Sequence, residues 1–230
     1  MSKRPRHILA ILTLAFATTA VAVAAPPAYA AQTITWGTTA VAYRGQTGPI
    51  ALVCPAGGAY WNVYGTGTYT DDSYICTAAV HAGVITYAAG GPVSITPTAG
   101  TAFYVGTIRY GVSTFSWPTN PNAGFTIAGA TTAPGEIDWA RSATEFRGRN
   151  QSFTFVCQAG GGYYSIYGTD TYTDDSRICT AAVHAGRITY AGGGTVTVTP
   201  SSGLSSYTGT VRNGVTSYSW PSPAPAFTFS

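Results

Sequence analysis

The sequence predicts an α+β fold made of two tandem small domains, each with short twisted β-sheets wrapped around one central helix. Three observations carry the prediction. The segment Tyr69-Thr70-Asp71-Asp72-Ser73-Tyr74-Ile75-Cys76-Thr77-Ala78-Ala79-Val80-His81-Ala82-Gly83 returns almost letter for letter at 172–186, an offset of 103 residues. Ile75, Cys76, Ala78, Ala79, Val80 and Ala82 leave it almost no polar face, and a helix that is apolar all round is a buried one. The rest of each copy breaks into short strand-like runs. The clearest is Thr195-Val196-Thr197-Val198-Thr199, closed by Pro200, where apolar residues at every second position mark a strand with one buried face.

Taken in order, the chain opens with a basic stretch, Lys3-Arg4-Pro5-Arg6, then an apolar run from Ile8 to about Ala25 and an Ala28-Tyr29-Ala30 site. This reads as a signal peptide over 1–30 and hence a secreted, extracellular protein. The alternative is an uncleaved membrane anchor. Residues 31–128 then form the first domain, with strands expected at 33–36, 50–54, 60–64, 92–96, 103–108, 112–117 and 124–127. One helix follows the third of these strands. Thr70 or Asp71 is its expected N-cap, with Asp71 and Asp72 in the first turn, where the helix dipole favours acids. Gly83 is its expected C-terminal stop. A stretch of small residues, 129–135, reads as a linker, and 136–230 repeats the first domain. Trp36 matches Trp139, Arg44 matches Arg147, and Trp117 matches Trp220, all at the same offset. A period this long means two domains rather than a solenoid of short units.

Without 1–30, eight basic residues face eight acidic ones, and no lysine remains. Binding of nucleic acid through a basic surface is therefore disfavoured, and a membrane is approached only through a bound lipid or an uncleaved signal. All four cysteines lie in the mature part. Export favours disulfides, and of the three pairings that four cysteines allow, the duplication favours Cys54–Cys76 and Cys157–Cys179. Each would close a loop of about 22 residues, worth ~3 kcal/mol of chain entropy. A zinc site is the rival reading, but no Cys-x-x-Cys spacing supports it, and no cofactor is implied.

Several motifs resemble a known family. Val63-Tyr64-Gly65-Thr66, Tyr69-Thr70-Asp71-Asp72-Ser73, Ile75-Cys76, Ala78-Ala79-Val80-His81-Ala82-Gly83, the Gly90-Gly91 pair and the Tyr-x-Gly-Thr-x-Arg-x-Gly-Val-x-Ser pattern look like the LCCL domain. The resemblance covers about 50–128 and 153–230. The first copy departs from the family pattern at Gly67 and Tyr110, and both copies carry glycine, Gly58 and Gly161, where the family has a second cysteine. The resemblance implies a central helix wrapped by two twisted sheets. It also implies an extracellular module that binds lipopolysaccharide, other glycolipids or matrix partners, with no catalytic activity.

Candidate chemistry is sparse. Asp71-Asp72 and Asp174-Asp175 suit a helix start better than the facing carboxylate pair that glycan hydrolysis needs. His81 and His184 stand five residues after a cysteine, off its helical face, so a core histidine is favoured over a Cys–His nucleophile. Asp170, Asp174 and Asp175 are a weak calcium set, because the first copy has Gly67 in place of Asp170. Tyr60, Trp61, Tyr163 and Tyr164 are the best ligand candidates, since amphipathic rings stack on sugar faces and suit interfaces. Arg109 and Arg212 would hold a phosphate or carboxylate, or pair with Asp72 and Asp175. The leading expectation is a non-enzymatic tandem binding module for extracellular glycan, glycolipid, lipopolysaccharide or a surface protein. A secreted glycan hydrolase and a structural envelope or matrix protein are the alternatives.

Overall fold

A computed structural model describes residues 31–118 and 123–230; the expected signal peptide, 1–30, lies outside the described residues. The first copy runs β1 (Gln32–Thr33), β2 (Ile50–Cys54), β3 (Gly65–Thr66), β4 (Thr68–Thr70), α1 (Ile75–His81), β5 (Gly91–Thr98), β6 (Ile108–Arg109), β7 (Val112–Ser113) and β8 (Gly124–Ile127). The second repeats it as β9 (Glu136–Ile137), β10 (Phe153–Cys157), β11 (Gly168–Thr169), β12 (Thr171–Thr173), α2 (Ile178–His184), β13 (Gly194–Ser201), β14 (Val211–Arg212), β15 (Val215–Thr216) and β16 (Ala226–Phe229).

In the first copy the sheet order is β1-β2-β5-β8-β4-β3. β5 is the long central strand, antiparallel to β2 through Leu52↔Val93 and to β8 through Ile95↔Ile127. Its alternate residues Val93 and Ile95 face inward against Leu52, Phe125 and α1, all seven residues of which are buried. The disulfide Cys54–Cys76 ties β2 to α1, and Cys157–Cys179 ties β10 to α2. The strand-like alternation and one staple per copy agree with the sequence reading.

The helices are shorter than expected, and they are not capped as expected. α1 starts at Ile75, with Tyr74 as its N-cap and no side-chain cap bond. Residues 68–70 belong instead to β4, which pairs with β8. Asp71 is buried and ion-paired with Arg44, and Asp174 is held by Arg147 at 2.7 Å. The acid is thus sequestered by an arginine 27 residues upstream, a tertiary contact that overrides the local capping preference. Segment 60–64 is not a strand either; Tyr64 bridges to Phe115, and its carbonyl accepts from Thr70 N–H of β4 at 3.2 Å.

The two copies are docked. The second copy repeats the six-strand order as β9-β10-β13-β16-β12-β11, and the β6–β7 hairpin of the first copy adds to its β9 edge through Ile108↔Glu136. Phe103 and Val105 of the first copy pack against the second core. The Phe103 ring meets Phe146 edge-on at 6.0 Å and Phe153 at 6.2 Å, with the Arg149 guanidinium 4.3 Å from its centroid. Arg141 reaches back to Ser116 at 3.1 Å, and Arg149 to the carbonyl of Ala102 at 3.3 Å. The matching positions in the other copy are Ser206, Thr208, Thr38 and Gln46, so the hairpin β14–β15 and the β1 edge lack these docking side chains.

Candidate functional site

The ligand candidates sit on a loop that glycine packing fixes. Trp36 donates its indole N–H to the Pro55 carbonyl at 3.0 Å, and its ring lies over Gly58. A Cβ at Gly58 would fall 1.9 Å from that ring, and one at Gly161 would fall 1.8 Å from Trp139. The two tryptophans thus fill the space where the family's second cysteine would stand. Beyond the glycines, Trp61 N–H donates to Thr77 Oγ1 at 3.3 Å, and the Tyr60 hydroxyl donates to the Ser113 carbonyl at 3.1 Å. The second copy repeats both bonds, from Tyr164 to Thr180 and from Tyr163 to Thr216.

With the backbone held, the rings stand in solvent. Tyr60 and Trp61 are each 45% exposed, and Tyr163 and Tyr164 are 47% and 42% exposed. They are joined by Trp117 and Trp220, rings that the sequence already offers to this cluster, and by Tyr64, Tyr167, Phe115 and Tyr218, which it did not single out as ligand residues. Tyr64 lies 5.9 Å from Phe115 and 5.3 Å, edge-on, from Trp117. Tyr167 lies 6.1 Å from Tyr218 and 5.5 Å from Trp220. Each copy therefore presents a run of rings along the bridged segments 60–64 and 115–117, or 163–167 and 218–220. Phe115, Trp117, Tyr218 and Trp220 are all more than two-fifths exposed. Their signal was in the sequence, as large rings at alternate positions of a short strand. On the first copy the Trp61 ring is also covered by Tyr74 at 5.0 Å. None of the ring-bearing positions is charged.

The other candidates are committed to the fold. Arg109 donates to the carbonyls of Thr131 and Ala133 and so clamps the segment between the copies; burial pushes its guanidinium below its ordinary value. Arg212 pairs with Asp170 at 2.6 Å rather than with Asp175. Asp72 and Asp175 are exposed in the turn before each helix. His81 and His184 are fully buried. Tyr172 and His184 Nδ1 are 2.8 Å apart, and His184 Nε2 lies 3.3 Å from the Thr210 carbonyl. A carbonyl only accepts, so Nε2 carries the proton and Nδ1 accepts from the tyrosine hydroxyl. His81 sits in the same way between Tyr69, at 2.9 Å, and Thr107. Burial drives His81 down to about 4 and lowers His184, so both are neutral at pH 7. With the cysteines oxidised, no Cys–His nucleophile forms. No group of three or more metal-ligating side chains occurs among the described residues. A surface depression of about 490 Å³ includes Asp71 in its lining, but that carboxylate is already ion-paired with Arg44.

The human cysteine-rich secretory protein LCCL domain-containing 2 is 32% identical over 181 residues, covering 74% of this chain and 36% of its own length. The human cysteine-rich secretory protein LCCL domain-containing 1 is 31% identical over 179 residues, at 74% and 35% coverage. Human vitrin is 42% identical over 71 residues, covering 30% of this chain and 10% of its own. The chain thus spans about a third of the length of the first two relatives. The family model for the LCCL domain matches twice, at 31–124 and 137–227. The chain belongs to the LCCL domain family, as a tandem pair of such domains.

Proposed function

We propose that the chain is an extracellular, non-catalytic tandem binding protein whose two aromatic platforms stack on the sugar rings of glycans or glycolipid headgroups. The observation that carries the reading is the duplicated run of solvent-exposed rings, Tyr60, Phe115 and Trp117 with Tyr163, Tyr218 and Trp220, packed around the half-buried Tyr64 and Tyr167 on loops locked by Trp36 and Trp139. Exposed rings on a fixed backbone present apolar area at little entropic cost. A pyranose offers a flat face of C–H groups to such rings and hydroxyls to the polar atoms around them. Two platforms on one chain would add avidity toward a repetitive surface. Extracellular placement is supported by the paired disulfides and by the secretory relatives. No helix among the described residues is long and apolar enough to cross a membrane. The test is affinity electrophoresis of residues 31–230 through immobilised neutral polysaccharides. Retardation that disappears in the Trp117→Ala, Trp220→Ala double variant supports the reading. Migration unchanged by every polysaccharide refutes it, and release of reducing sugar would make the protein a hydrolase.

A further inference from the structure

We infer that the second platform selects an anionic sugar, through Arg177, while the first takes a neutral one; this rests on the carbohydrate-stacking reading above. The two platforms differ at the residue just before the helix. The first copy has Tyr74, whose ring covers Trp61 at 5.0 Å, and the second has Arg177 at the matching position. The backbones coincide: Tyr74 N–H donates to the Asn62 carbonyl at 3.4 Å, and Arg177 N–H donates to the Ser165 carbonyl at 3.4 Å. Arg177, half-buried, therefore stands at the position of the ring that closes the first platform.

That guanidinium is unlike its neighbours. Among the described residues, four arginines pair with carboxylates and three donate to main-chain carbonyls. Arg177 is the remaining one, and no acceptor within the described residues takes a hydrogen bond from its guanidinium. The nearby acids are engaged elsewhere: Asp174 with Arg147, and Asp175 with the Thr173 hydroxyl at 2.5 Å. A planar fork of donors at the platform position that Tyr74 fills in the first copy fits a ligand that carries a carboxylate or phosphate on a ring with a stackable face. A uronic acid and a sugar phosphate both meet that description. The first platform offers Tyr74 instead and has no cation to match.

The experiment titrates residues 31–230 with three probes: a linear uronic-acid tetrasaccharide, its carboxyl-reduced neutral counterpart, and a phosphorylated neutral tetrasaccharide. The wild type is expected to bind at least one anionic probe about tenfold or more tightly than the neutral one at low salt, a charge-assisted, salt-sensitive preference. Whichever anionic probe gains shows which anion the site takes. Arg177→Tyr should erase the preference while keeping neutral binding, because it restores the residue found in the first copy. Tyr74→Arg should raise the number of anion-preferring sites from one to two. Neutral binding with no anionic preference, or a preference that survives Arg177→Tyr, overturns the inference and leaves the stacking reading standing. Binding of no probe at all overturns both.

Discussion

Replacing Phe103 by serine should uncouple the two domains without unfolding either. Serine is what the second copy carries at the matching position, Ser206, so the fold accommodates it. The lost contacts are specific. Two edge-on ring contacts, with Phe146 and Phe153, are each worth ~0.5–1.5 kcal/mol. The Arg149 guanidinium over the ring adds ~0.5–1 kcal/mol, and re-exposing a half-buried ring costs about 1 kcal/mol. Shared neighbours make these overlap rather than add, so the coupling lost is on the order of 2–3 kcal/mol. Calorimetry of residues 31–230 should show one transition for the wild type. The variant should show two, with the second domain moved to lower temperature because Phe146 and Phe153 become exposed. A variant that still melts as one unit, at the wild-type midpoint, would refute the claim that this ring welds the copies.

Two further outcomes follow from the core. His81 has a folded pKa of about 4 against an unfolded value near 6.5, so the folded state favours its neutral form. That stability is fully present above pH 6.5 and is lost as pH falls from there toward 4, a change of ~3 kcal/mol from the size of the shift. A His81→Gln variant should lose this part of the pH slope in chemical denaturation between pH 7 and 4. Replacing both Cys54 and Cys76 by alanine should cost the first domain about 3 kcal/mol, read in the Phe103→Ser background as a lower midpoint for that domain, with the second domain's separate transition unmoved.

Much of the fold was legible because the chain states it twice. The pairing of Cys54 with Cys76, the buried helix and the alternation at 195–199 all rest on local pattern or on the repeat. The helix start was not legible. Local chemistry put caps at Thr70 or Asp71, but Arg44 takes Asp71 and β8 takes residues 68–70. Docking was hidden for a different reason. It lies in what the copies do not share: Phe103 against Ser206, Val105 against Thr208, Arg141 against Thr38 and Arg149 against Gln46. Matching the copies for likeness discards those positions. At the site, Tyr60, Trp61, Tyr163 and Tyr164 were visible as rings following paired glycines. Their companions Phe115 and Tyr218 come from segments more than 50 residues away, and the Tyr64–Phe115 and Tyr167–Tyr218 bridges bring them into place. Arg109 read equally as an anion ligand or a partner of Asp72, because only side-chain partners show in a sequence; its partners are main-chain carbonyls of the connecting segment.

The most direct measurement is the stoichiometry of neutral-oligosaccharide binding to residues 31–230 by isothermal titration calorimetry. Two sites per chain are predicted, the second platform's the weaker for a neutral sugar, falling to one in Trp117→Ala and one in Trp220→Ala, with circular dichroism unchanged. A single site that neither substitution affects would contradict the account.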